Sequence, residues 1–176
     1  MTEDCILCSI IEGKIPSKKV YEDDDSLAIL DVNGSNPGHC FVIPKQHYPI
    51  LEQVPDFQIA KLFGIANKIS TVIFEALKAE GTNVFVTNGV TAGQTVAHFM
   101  INVIPRSSND KINLQWQPKQ LDEEEMSTIE LKLKEEAKNM GVFQTKKTFE
   151  TRTIKKEPER ISGEENYLIK QLRKIP

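Results

Sequence analysis

Residues 55–79 carry one long stretch of helical periodicity in a chain that otherwise reads, up to about residue 116, as short β-like runs. Ile59, Leu62, Phe63, Ala66, Ile69, Ile73, Ala76 and Leu77 recur at steps of three and four residues, which places them on one helical face, and Gly81 supplies the expected stop. Before this helix come KKVYE and SLAILDV, parted by the Asp23-Asp24-Asp25 turn, and HCFVIPK after the turn at Asn36. After it come TNVFVTN and AHFMINVIP, joined by GVTAGQTV. One amphipathic helix between the third and fourth of five strands has to bury its apolar face against their sheet. The expectation is an α+β fold with a mostly antiparallel five-stranded sheet. A short N-terminal helix in CILCSIIEG precedes it, with Asp4 as N-cap and Gly13 as its end.

From Pro118 the pattern changes. Asp122 with Glu125 forms a capping box, and Met126, Ile129, Leu133, Ala137 and Met140 make one apolar stripe before Gly141. The domain reading is therefore 1–116 for the α+β body and 117–176 for a C-terminal extension, made of a helix over about 122–140, a basic arm over 142–160 and a short helix over about 163–174. Residues 1–141 hold 13 Lys+Arg against 20 Asp+Glu, and residues 142–176 hold 9 against 5, so a body of charge −7 precedes a segment of charge +4. Such a segment docks on the body or meets nucleic acid. Docking is the favoured use, and the arm from Lys146 to Arg160, which has one aromatic residue, Phe149, and lacks the stacking series of a single-strand RNA platform, reads as a charged solvated arm.

No apolar run approaches the roughly 18–20 residues of a membrane span, and MTEDC is acidic where a signal peptide is basic. The expectation is a cytoplasmic protein that does not enter a membrane. Three cysteines, Cys5, Cys8 and Cys40, are too few for a disulfide framework. Cys5-x-x-Cys8 at a helix start is half of a zinc site, since two thiolates one turn apart reach a single tetrahedral ion. Redox use of the same pair is the competing reading. The chain has only three histidines, His39, His47 and His98. Alternation along AHFMINVIP sends Phe99, Ile101 and Val103 to the core, and His98, Met100 and Asn102 to a face that shows a surface or a pocket. Just ahead of it, Asn88-Gly89 and Gly93-Gln94-Thr95 suit the approach of an anionic oxygen to backbone N–H groups.

Taken together, the cysteine pair, IEGKIPSKKVYEDDDSLAILD, the PGH turn, IPKQH and GQTVAHFMINVIPR resemble the histidine triad (HIT) superfamily of nucleotide-binding hydrolases and transferases, over about residues 5–116. The resemblance implies a HIT-like sheet and zinc held by Cys5, Cys8, His47 and His98. It implies a nucleotide pocket in which Asp31 meets ribose hydroxyls, Leu7, Ile10 and Val32 pack the base, and Asn88, Gln94 and Thr95 face phosphate. His39 matches an additional histidine behind the triad. The ligand implied is a purine nucleotide or nucleoside monophosphate, and the assembly implied is a homodimer through the long helix and adjoining strands.

The departure from that family falls on its chemistry. By position His98, Met100 and Asn102 match the three histidines of the triad, whose middle member attacks the α-phosphorus. A thioether has no proton to lose and no basic lone pair comparable to imidazole, so Met100 does not supply that step. The expectation is a zinc-bearing nucleotide-binding protein lacking, or nearly lacking, nucleotidyl hydrolase or transferase activity. Two alternatives stand beside it: an active phosphoramidate or dinucleotide hydrolase using His39 or Asn102, and an interaction scaffold acting through the basic extension.

Overall fold

The structure is a computed structural model that describes residues 5–141; Asp4, the basic arm expected over 142–160 and the helix expected over 163–174 lie outside the described residues. The chain order is α1 (Ile6–Ile11), β1 (Lys19–Glu22), β2 (Ser26–Leu30), β3 (Cys40–Pro44), α2 (Asp56–Leu77), β4 (Gly81–Phe85), β5 (Ile101–Arg106) and α3 (Glu123–Ala137). The strands form one five-stranded sheet in the order β1-β2-β3-β5-β4, with every neighbouring pair antiparallel. This is the α+β architecture that the period change around residues 55–79 predicts.

Two layers of apolar packing follow from strand alternation. On one face Ala28, Cys40, Val42, Phe99, Ile101 and Val103 meet Leu62, Ile65, Ala66, Ile69 and Ile73 of α2. Each fully buried leucine, isoleucine or phenylalanine there contributes roughly 1.5–3 kcal/mol. On the other face Leu27, Ile29, Ile43 and Met100 meet Cys5, Leu7 and Cys8 of the α1 segment. The first layer holds the sheet; the second builds the candidate site.

Several local expectations need correction. The N-cap of α1 is Cys5, not Asp4, and its side chain makes no capping hydrogen bond. Helix α2 ends at Lys78 in the left-handed conformation (φ 56°), so Gly81 is released to begin β4. Phe63 and Leu77, expected on the buried face, are exposed, while Ile65 is buried in their stead, because the contact with the sheet is narrower than the apolar arc. The closing strand starts at Ile101 instead of Ala97. Its first residues leave the ladder because the N–H of His98 donates to the Val96 carbonyl (2.8 Å) and that of Phe99 to the Tyr48 carbonyl (2.6 Å).

Past the sheet, the Asp122 carboxylate caps α3 by accepting from the Glu125 N–H (2.8 Å), and Glu125 accepts from the Asp122 N–H (3.3 Å). Met126, Ile129 and Leu133 on this helix are exposed.

A polar clamp ties the end of β5 to the loop after β2. The Arg106 guanidinium donates to both Asp110 oxygens (2.5 and 2.9 Å) and to the Ile112 carbonyl (2.6 Å). Asn36 donates to the Pro105 carbonyl (2.9 Å) and to Asp110 (3.0 Å). The turn itself needs Gly38, whose φ of 91° is left-handed and where a Cβ would collide with Leu77. Arg106, first, and the backbone N–H of Ile112 hold the Asp110 carboxyl well below the usual carboxylate range. A depressed carboxyl stabilises the fold above its unfolded pKa, about 3.9, and that contribution is lost as acid drives the folded group toward protonation. Asp110→Asn should therefore be less stable than wild type in urea at neutral pH, and the gap between the two should narrow as the titration is repeated below about pH 4.

Candidate metal centre and nucleotide pocket

Three separate segments bring four ligand atoms to one point. Cys5 and Cys8 lie one turn apart at the start of α1, His47 follows the end of β3, and His98 precedes β5. Their Sγ and Nδ1 or Nε2 atoms all lie within 4.8 Å of one another. Cys8 Sγ is 3.3 Å from His47 Nδ1 and 3.7 Å from His98 Nδ1, and Cys5 Sγ is 3.6 Å from His98 Nδ1. Bonds of about 2.3 Å to sulfur and 2.0–2.1 Å to nitrogen at a tetrahedral angle require an S···N separation of about 3.6 Å. The donor set fits such an ion. The two imidazole rings stand nearly perpendicular, 84° between planes, so each presents its Nδ1 edge to the sulfurs without stacking on the other.

The buried ring of His98 is oriented from behind. Its Nε2–H donates to the Pro44 carbonyl (3.0 Å), and because a carbonyl only accepts, the proton is on Nε2 and the Nδ1 lone pair faces the sulfurs. Burial lowers the His98 pKa, against the opposing pull of that carbonyl, and keeps the ring in its neutral, metal-binding form. Burial, then the neighbouring Cys5, pushes the Cys8 thiol up to about 11. A thiol so placed stays protonated; a divalent cation beside it reverses that preference and displaces the proton. The flanking loop is tied in place by Gln94, whose Nε2 donates to the Pro49 and Val96 carbonyls (2.6 and 2.9 Å) and whose Oε1 accepts from the Gly89 N–H (2.8 Å).

The face of His98, Met100 and Asn102 does not lie open. All three are buried, at 0%, 8% and 7% exposure, because α1 packs across the sheet and sets Met100 among Leu7, Leu27, Ile29 and Ile43. Further along the same face, Ile29, Phe41 and Asn102 share a cross-strand row, and alternation adds Asp31 and His39. His39 Nδ1 receives the Ser35 N–H (3.3 Å) and stands 3.5 Å from Asp31 Oδ2. Its proton is then on Nε2, which donates to Asn102 Oδ1 (3.2 Å). Asp31 Oδ1 accepts from the Asn33 N–H (2.9 Å).

The expected nucleotide residues are not gathered in one cavity. Leu7 is buried beneath α1, Ile10 is half-buried beside it, and Val32 is 87% exposed. Asp31 and Val32 line a hollow of about 290 Å³ together with Gly34, Asn36 and Gly38. Thr95 lines a different one, of about 550 Å³, beside Cys5 and His47. Asn88 accepts from the Leu51 N–H (3.0 Å) and donates to Glu52 (2.7 Å), so its amide braces the loop after β3. Sequence reasoning missed the Pro44 carbonyl and Ser35. A backbone acceptor leaves no mark in a sequence, and a serine four residues before a histidine is too common to notice.

The sequence pattern of the HIT domain matches residues 12–109, more than half of the chain. Over 110 residues the chain is 42% identical to the adenylylsulfatase HINT3 of Arabidopsis thaliana, which covers 62% of this chain and 56% of that relative's length. The fold is similar to a crystal structure of a HIT family member from Bacillus subtilis, with a TM-score of 0.72, 34% identity, and coverage of 80% of this chain and 99% of that one. It is also similar to a zinc-bound histidine triad family protein from Mycobacterium smegmatis, with a TM-score of 0.61, 31% identity, and coverage of 78% and 98%.

Proposed function

The chain belongs to the HIT domain family, and from that premise we propose that it is a zinc-stapled nucleotide-binding module that has lost, or nearly lost, nucleotidyl hydrolase and transferase chemistry. The observation that carries this reading is Met100, a buried thioether in the middle triad position between two residues already committed elsewhere. His98 is turned toward the cysteine pair, and Asn102 accepts from His39. A thioether at neutral pH forms no phosphoramidate-like intermediate and takes no proton from a leaving group. Loss of a covalent nucleophile lowers turnover by up to about a million-fold. Water attack through His39 or Asn102 has less support, since each is the hydrogen-bond partner of the other and His39 Nδ1 already receives the Ser35 N–H.

Zinc is the ion proposed for Cys5, Cys8, His47 and His98. Four protein donors close its coordination shell, so its contribution is a cross-link that fastens α1 to the loops after β3 and before β5. That fastening supports a pocket wall, because α1 carries Leu7 and Ile10. The free thiols suit a reducing, cytoplasmic compartment; among the described residues no helix is long and apolar enough to cross a membrane. A homodimer is proposed through the outer face of α2 and β4, where Phe63, Phe74, Leu77 and Val84 are exposed.

Three outcomes are expected. Purified chain should hold one zinc by elemental analysis, and Cys8→Ser should lose it and lower Tm by roughly 10 °C or more. Adenosine phosphoramidate should not be turned over by the wild type, whereas the double variant M100H/N102H should gain at least about a thousand-fold; equal rates in the two proteins would sink the assignment of Met100 as the lesion. Light scattering should give the mass of two chains, and Phe74→Glu should give the mass of one.

A further inference from the structure

We propose that Ser35 is a nucleophile, with His39 as its base and Asn102 orienting that base, and that it takes a small, uncharged, activated carboxylic ester as substrate. The inference stands apart from the nucleotide-binding reading. It comes from the Ser35 hydroxyl, a group that reading does not use.

Ser35 is an exposed residue in the loop after β2, and its Oγ lies 3.3 Å from Nδ1 of the buried His39. The Ser35 N–H ends on the same nitrogen, and an N–H only donates, so Nδ1 is the acceptor and the hydroxyl donates to it as well. The other ring nitrogen donates to Asn102 Oδ1 (3.2 Å). Hydroxyl, imidazole and amide oxygen thus stand in series, the arrangement by which a nucleophile, its base and the group behind the base are recognised. Contacts of this length are usual before a substrate is bound.

Two features hold the series in place. Phe41 meets the His39 ring edge to face, with 5.1 Å between centroids and 70° between planes, which restrains the plane of the imidazole. Gly34 lets the loop close on that ring, because a Cβ at this position would fall 2.8 Å from the His39 Cβ and force the loop, with Ser35, away from it.

Asp31 Oδ2, 3.5 Å from His39 Nδ1, supplies a charge partner. When Nδ1 takes the serine proton, the imidazolium that results faces this carboxylate and is stabilised by it. The same carboxylate repels an anion, so an uncharged acyl donor suits the site. Gly34 and Asn36, on either side of Ser35 in the chain, line a hollow of about 290 Å³ with Asp31 and Gly38, which is room for a short acyl group.

In the first step Ser35 Oγ bonds to the carbonyl carbon and passes its proton to Nδ1. The bond from that carbon to the alcohol oxygen then breaks, and the alcohol leaves with the proton from Nδ1. In the free protein the hydroxyl occupies the place at Nδ1 that an attacking water would need, which makes Ser35 the first nucleophile. Once acylated, Oγ has no proton to give, and a water takes its place. The water gives its proton to Nδ1 and its oxygen to the acyl carbon, and the proton returns to Oγ as the acid departs.

The test is to mix the full chain with p-nitrophenyl acetate, follow nitrophenolate release, and locate the acetyl group by peptide mass spectrometry. A burst of about one nitrophenolate per chain is expected, with acetyl on Ser35. Ser35→Ala, a change at an exposed position, should abolish the burst and slow release by at least about a hundredfold. Asn102→Leu should slow acetylation of Ser35, and Asn102→Asp, which keeps an acceptor for the His39 Nε2–H, should restore it. Acetyl on cysteine or lysine with none on Ser35, an equal burst from Ser35→Ala, or no burst at all overturns the proposal. Equal acetylation of Ser35 in wild type and Asn102→Leu overturns the positioning role of Asn102.

Discussion

The hydrogen bond from His98 Nε2 to the carbonyl of Pro44 is the contact on which the rest of the site depends. It fixes the ring tautomer and turns Nδ1 toward two cysteines some ninety residues earlier in the chain. For that bond to form, the chain must leave the β5 ladder before Ile101, and it does so by giving the Phe99 N–H to Tyr48. The loop after β3 is then drawn beside the loop before β5, and His47 arrives at the same point. A buried imidazole with one unmet nitrogen costs roughly 1–3 kcal/mol, so this geometry is closely specified by the protein's own hydrogen bonds.

Met100 is bound up with that arrangement. With α1 packed over the sheet, the space beneath it is lined by Leu7, Leu27, Ile29 and Ile43, and a flexible thioether fills such a space well. An imidazole there would have to find hydrogen-bond partners in an apolar cluster or leave one nitrogen unmet. Asn102 shows the complementary exchange. It does not ionise but offers an amide oxygen as acceptor, and the His39 N–H binds it. Met100 and Asn102 are thus both taken up by packing and hydrogen bonding within the fold.

Much of the fold was legible because periodicity reports burial. The switch from period two to period 3.6 around residues 55–79 identifies one helix against a sheet, and the segregation of Phe99, Ile101 and Val103 from Met100 and Asn102 follows from strand alternation. The capping box at Asp122 and Glu125 was equally local and equally visible. Legibility failed where local rules compete. Lys78 takes the left-handed turn expected of Gly81, and Phe63 and Leu77 extend the apolar arc of α2 beyond what the sheet covers.

The sequence by itself determined the Cys5–Cys8 half-site and the layout of strands about one helix, since each depends on residue type and spacing, and its resemblance to the HIT family singled out His47, His98 and Met100. Only the tertiary structure decided what those residues are free to do. It joined Cys5 and Cys8 to His47 and His98, paired His39 with Asn102, and committed the amides of Asn88 and Gln94 to their own loops. Those outcomes depend on backbone carbonyls and on segments far apart in the chain. A carbonyl is the same in every residue, so where it points is a property of the fold and not of the sequence read along its length.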